Sequence, residues 1–148
     1  MIKTIVVGLD GSESSENALV MACDLAGKYG ASLHLVHVPQ PDTVAFALGG
    51  IAGYHAVTTM PSEDEVKEAA DKIVAAGKRL ASDHGQLIAQ VHIERGTPAD
   101  EIVAYAKSCN ADLIVTGRRG LGSLGSLIQG STSQQINHLA KCACLSVE

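Results

Sequence analysis

The chain is nearly free of aromatic residues, with one Phe, three Tyr and no Trp in 148 residues. That excludes a core anchored on large rings, and it argues against a surface on which bases stack. Basic residues are also in the minority: 11 Lys and Arg against 16 Asp and Glu give a net charge of −5. A nucleic-acid partner, which calls for a basic face, is not expected. No run approaches the roughly 20 consecutive apolar residues of a membrane span. The uncharged segment from Thr43 to Pro61 is broken by Gly49, Gly50, Gly53, His55, Thr58 and Thr59. The opening Met1-Ile-Lys-Thr-Ile-Val-Val carries no secretory leader pattern. The four cysteines (Cys23, Cys109, Cys142 and Cys144) are scattered rather than arranged as a disulfide framework. A reduced, cytoplasmic protein is expected.

What is present is apolar aliphatic material. Hydrophobic residues make up 46% of the chain and charged residues 18%, enough for one packed domain over residues 1–148 and too much for a disordered chain. Ile2 to Leu9 reads as a buried strand that ends in the turn Asp10-Gly11-Ser12. Ala18, Leu19, Ala22, Leu25, Ala26 and Tyr29 recur at helical spacing before the stop at Gly30. Leu33 to Val38 is a second strand, halted by Pro39 and Pro41. Ser62-x-x-Glu65 is a capping box for a helix that runs through Val66, Ala70, Ile73, Gly77 and Leu80 to Gly85. Leu87 to Glu94 gives a third strand, and Thr97-Pro98 opens a helix with Thr97 as its cap. Leu113-Ile114-Val115 is a fourth strand, Ser131-x-x-Gln134 caps a last helix, and Cys144 to Val147 forms a fifth strand.

Strict alternation of strand and helix means right-handed crossovers and a parallel sheet with helices on both faces. The architecture expected is a five-stranded α/β sandwich of order 3-2-1-4-5. In such a sheet the first and fourth strands flank the point where the winding reverses, and ligands settle at their carboxyl ends. Asp10 follows the first strand and Gly117 the fourth, so the two should face each other across a crevice. Alone, Asp10 reads as an ordinary turn or capping residue.

The segment from Gly117 to Ser133 is rich in glycine and serine. It joins a buried strand to a capped helix, where exposed backbone N–H groups and a helix N-terminus favour an anion. It is far longer than the roughly two to six residues usual in such a connection. Two familiar patterns fall inside it and fail. Gly120-x-Gly122-x-x-Gly125 lacks the acidic ribose partner about 20 positions on. Gly125-x-x-x-x-Gly130-Ser131 has Ser131 where a P-loop requires Lys.

Together, Ile5-Val-Val-Gly-Leu-Asp-Gly-Ser12, Leu33-His-Leu-Val-His-Val38, Gly96-Thr-Pro98 and Gly117-x2-Gly120-x9-Gly130-Ser131 resemble the universal stress protein family across nearly the whole chain. The last pattern is the most specific, and in that family it marks the members that bind ATP. The resemblance implies ATP, with Mg²⁺, as the ligand of a regulatory module related to other adenine-nucleotide-binding α/β domains. It places Asp10 at the ribose or metal–phosphate region and the backbone of Val38 at the adenine, with Leu9 also among the cofactor-binding residues. Gly117, Gly120, Gly130, Ser131 and Thr132 then hold the phosphates. It also implies a homodimer through the C-terminal strand, and a further protein partner is conceivable on the same grounds. Cys142-Ala143-Cys144-Leu145-Ser146-Val147 departs from the family's usual ending, with Ala143 in place of Pro and Ser146 in place of an apolar residue.

Arg118 and Arg119 can neutralise phosphate, although the family varies at both positions and solvation of at least one is expected. Cys142 and Cys144 read as small hydrophobes rather than a metal pair. His34 and His37 should point to opposite faces of the second strand. No nucleophile elbow is present, because Gly-Ser-Thr-Ser at 130–133 lacks its second glycine. An alternative function is a slow ATPase or self-phosphorylating enzyme using Ser131, Thr132 or Ser133. Another is an interaction protein with an empty site. The segment from Thr43 to Pro61 is expected to be either a connector or a lid and contact surface, with Phe46, Ile51 and Tyr54 as its contact groups.

Overall fold

A computed structural model describes residues 1–49, 60–121 and 131–148. Ten elements follow one another: β1 (Thr4–Gly8), α1 (Glu13–Tyr29), β2 (Ser32–His37), α2 (Pro41–Ala47), α3 (Glu63–Asp83), β3 (Ile88–Ile93), α4 (Pro98–Ser108), β4 (Leu113–Gly117), α5 (Ser131–Leu139) and β5 (Ala143–Val147). The five strands form one sheet of order β3-β2-β1-β4-β5, and every neighbouring pair is parallel. The expected architecture is the observed one.

Strand periodicity explains how the layers assemble. Ile5, Val7, Leu33, Leu35, Leu113 and Val115 face one way and bury with Ala18, Leu19, Ala22 and Ile73 of α1 and α3. Val6, Val36 and Ile114 face the other way and bury with Ala99, Ile102, Ala106 and Ile136 of α4 and α5. Both faces of the central strands are therefore covered, so β1 and β4 read as unbroken apolar runs, and β2 as one interrupted by His34 and His37. The edge strands β3 and β5 are only partly buried. Gly77 lets α3 lie close to the sheet, since a Cβ there would fall 2.6 Å from Leu9 Cδ2.

Three local expectations need correction. The stretch after β2 is not plain connector at its start, because residues 41–47 form α2. Pro41 does more than halt a strand, since its fixed φ and missing N–H suit the first helical position. The N–H of Gln40 then donates to Thr43 Oγ1 at 2.9 Å. Second, α5 begins at Ser131 itself, so the residue expected as its cap is already helical. Third, Thr97 occupies the N-cap of α4, but its side chain makes no capping hydrogen bond there. The capping box of α3 is complete: Ser62 Oγ accepts from Glu65 N–H at 3.2 Å, and Glu65 Oε2 accepts from Ser62 N–H at 2.7 Å.

Candidate functional site

The turn after β1 is built by its own side chains. Asp10 Oδ1 accepts from Ser12 N–H at 2.9 Å, and Gly11 has φ +84°, a conformation that suits glycine. Ser12 caps α1 by accepting from Ser15 N–H at 3.2 Å, and Ser15 Oγ donates to the Ser12 carbonyl at 2.9 Å. One oxygen of Asp10 thus serves the turn, as its ordinary reading requires. The other lies against the glycine-rich segment, since a Cβ on Gly120 would fall 2.9 Å from Asp10 Oδ2.

Gly117 closes the same junction from the β4 side. A Cβ there would fall 2.3 Å from Ser14 Oγ, 2.8 Å from the Ser14 carbonyl carbon and 2.9 Å from Ser15 N. The end of β4 therefore rests on the first turn of α1, where backbone N–H groups and the positive end of the helix dipole concentrate. The Ser14 hydroxyl donates to the carbonyl of Arg119. The Ser133 hydroxyl of α5 donates to the carbonyl of Arg118 at 3.3 Å. These bonds tie α1, the residues after β4 and the start of α5 together, with Asp10, Gly117, Arg118, Arg119 and Gly120 at the junction.

Leu9 and Val38 are both buried at the carboxyl ends of their strands. Ser131 and Thr132 open α5, with Ser131 exposed and Thr132 partly so. Gly130 lies outside the described residues, as do Ile51 and Tyr54 of the segment expected to act as lid or connector. Phe46, the third contact group of that segment, stands on α2 and lines a cleft of about 190 Å³ with Leu9, Gly11, Ile73 and Gly77. This apolar cleft flanks the Asp10 turn and lacks the polar character of a phosphate site.

His37 was not singled out for the site by the sequence. It is 1% exposed at the end of β2, and its Nδ1–H donates to the Leu9 carbonyl at 2.8 Å. Nε2 is buried without a hydrogen-bond partner. Burial lowers the pKa of this imidazole, while the Leu9 bond and the Asp10 charge push it partly back. A neutral ring thus holds the residue immediately before Asp10. Its partner is 28 positions away in sequence, and no local pattern announces such a contact. His34 lies on the other face, hydrogen-bonded to Tyr105 Oη of α4 at 3.1 Å.

Burial raises the thiol pKa of Cys142 and Cys144, and both pack against the α4–α5 cluster as small hydrophobes do. No group of three or more His, Cys, Asp or Glu among the described residues could hold a metal ion on its own. A magnesium ion that arrives with a polyphosphate has a lighter requirement, one or two carboxylates besides the phosphate oxygens. Asp10 Oδ2 can meet it. The donor set at the junction is otherwise suited to anions: a helix N-terminus, hydroxyls and two guanidinium groups.

The model of the universal stress protein family matches residues 1–148. The chain is 33% identical to the universal stress protein YxiE of Bacillus subtilis (strain 168) over 148 residues, which covers 99% of each chain. A universal stress protein solved in complex with cAMP superposes with a TM-score of 0.68 at 25% identity, covering 99% of this chain and 97% of that one. The universal stress protein of Archaeoglobus fulgidus solved in complex with dAMP shares the fold, with a TM-score of 0.69 at 18% identity over 100% of this chain and 98% of that one. The chain belongs to the universal stress protein family.

Proposed function

We propose that this chain is a nucleotide-dependent regulatory module that binds ATP, with Mg²⁺, at the carboxyl ends of β1 and β4. The observation that carries this reading is the approach of Asp10 Oδ2 to Gly120 at the point where the sheet reverses direction. The cAMP and dAMP in the two related structures support an adenine nucleotide as the ligand class. In this reading Asp10 holds a ribose hydroxyl or the metal–phosphate region, and the Val38 backbone meets the adenine. Gly117, Gly120, Gly130, Ser131 and Thr132 hold the phosphates. A bound ligand shifts the protein between two conformations only by its difference in affinity for them.

Among the described residues the junction offers amides, hydroxyls, guanidiniums and the Asp10 carboxylate, which this reading assigns to the ribose or metal–phosphate region rather than to a general base. We therefore rank binding above a slow ATPase or self-phosphorylation. Of the three hydroxyls considered for the latter, Ser133 is 2% exposed and directed at the Arg118 carbonyl, which makes it a poor phosphate acceptor. We also propose a homodimer through β5, whose outer edge has no strand beside it among the described residues. No helix among the described residues is long and apolar enough to cross a membrane. A cytoplasmic location fits the reading.

Equilibrium dialysis with labelled ATP tests the site, supported by mass spectrometry of the native protein for a carried-over adenine nucleotide. Gly130→Val should place a side chain among the phosphates and abolish binding while the fold persists. ATP affinity equal to wild type in that variant would sink the assignment.

A further inference from the structure

Arg118 and Arg119 stand on consecutive residues after β4, and among the described residues the ion pairs of both run to Glu148. Arg118 Nη1 lies 3.8 Å from Glu148 Oε2, and Arg119 Nη2 lies 3.9 Å from Glu148 Oε1. Both separations exceed hydrogen-bond length, so neither contact uses a guanidinium donor well. Arg119 Nε is buried, with no hydrogen-bond partner among the described residues. Two cations thus share one carboxylate that satisfies neither.

The backbone that carries that carboxylate is nonetheless held in place. The Arg118 N–H donates to the Val147 carbonyl, and Asn17 Nδ2 donates to the main-chain oxygen of Glu148 at 3.0 Å. The backbone at the end of β5 is therefore tied both to the arginine segment and to α1. Its side chain is solvent-exposed, and exposed ion pairs are weak. An oxyanion with more oxygens and more charge than a carboxylate would outcompete it, because guanidinium forks match phosphate geometry.

We propose that Arg118, Arg119 and Glu148 form a reader of phosphate number. The two guanidiniums take the terminal phosphate of a nucleoside polyphosphate, and Glu148 is the internal competitor that it displaces. A nucleoside monophosphate leaves Glu148 where it is. The proposal rests on the nucleotide reading above and adds to it the source of discrimination among adenine nucleotides.

The experiment measures ATP, ADP and AMP affinity by calorimetry for the full chain and for Glu148→Gln, Arg119→Gln and Arg118→Gln. Glu148→Gln removes the competitor and should raise the ratio of ATP to AMP affinity about two- to five-fold, the scale of an exposed ion pair. Arg119→Gln should lower that ratio by about ten-fold or more, the scale of lost hydrogen bonds to a charged group. Arg118→Gln should lower it in the same direction, and raised salt should narrow it in wild type. Circular dichroism on each variant confirms that the fold is kept. If all three variants bind nucleotide with the wild-type ATP to AMP ratio, the reader is overturned and the nucleotide site stands. If wild type binds no adenine nucleotide, the site reading itself fails and the reader falls with it.

Discussion

Gly117→Ala is the sharpest test of how α1 and β4 meet. The added methyl would arrive 2.3 Å from Ser14 Oγ, a flexible atom that can turn away if it gives up its bond to the Arg119 carbonyl. The other two clashes are with backbone, at 2.8 Å from Ser14 C and 2.9 Å from Ser15 N. That backbone is pinned by the Ser12 cap and by the Ser15 hydroxyl. To reach an ordinary 3.4 Å contact, the first turn of α1 must retreat by about 0.6 Å from the sheet. Overpacking of this kind costs about 1–3 kcal/mol, and the loss of backbone freedom in the unfolded chain returns about 0.4–1 kcal/mol. The net loss is about 1.5 kcal/mol, or about 3–6 °C in melting temperature at this chain length. Calorimetry or thermal circular dichroism reads it directly. Gly30→Ala is the control, because Gly30 has open space around it but φ +66°. It should lose stability through backbone strain, at the end of α1 remote from the junction. Gly117→Ala melting within about 1 °C of wild type would refute the close approach as the reason for this glycine.

Two further outcomes follow from buried and capping groups. His37 carries a pKa below its usual 6.5 in the folded protein, so the unfolded chain takes up a proton that the native ring refuses. Stability should therefore fall as pH drops below about 6.5, until the native imidazole itself protonates. Urea midpoints at pH 8 and pH 5.5 should show the decline, and His37→Asn should reduce it to the share of His34, whose pKa burial also lowers; an equally steep slope in that variant would remove His37 as a cause. Ser62→Ala removes the Oγ acceptor of the Glu65 N–H, while the bond from the residue 62 N–H to Glu65 Oε2 can persist, and should cost about 1 kcal/mol. Urea titration of the variant checks this, and an unchanged midpoint would show that another group caps the helix.

The parts of the fold visible in the sequence are those fixed by short-range pattern. β1, β2 and β4 are covered on both faces; β1 and β4 carry the unbroken apolar runs Ile5-Val6-Val7 and Leu113-Ile114-Val115, while β2 keeps its apolar residues around His34 and His37. α1, α3 and α4 announce themselves by a stripe and a start signal. α2 escaped because it is only seven residues long and starts before the uncharged stretch with Asp42 as its one charged residue, and because Pro41 was weighed as a strand stopper rather than as a first helical residue. At the site, the Asp10 turn and the glycine spacing were legible as local chemistry. The Ser14 and Ser133 hydroxyls on the arginine carbonyls were not, since they depend on residues 105 and 15 positions away. The same holds for Glu148, whose tether to Asn17 joins residues 131 positions apart. Local pattern shows where a polar loop starts; only packing shows which side chains reach it.

The meeting of Asp10 with Gly120 is a product of core register rather than of site residues. Ile5 pairs with Leu113, Val6 with Ile114 and Val7 with Val115. Continuing that ladder by two residues brings Leu9 and Gly117 out of the sheet at the same level. A slip of one residue would turn Ile114 toward α1 and Val115 toward α4, exchanging the two buried faces. The cores on both sides of the sheet therefore set the height at which the two strand ends meet, whatever binds there. It follows that stability and binding separate unevenly across the junction. At Gly117 they cannot be parted, because the same missing methyl group permits both the helix contact and the approach of the loop. At Glu148, which is exposed and weakly paired, they can be. A variant there should change what the crevice prefers while leaving the ladder beneath it untouched.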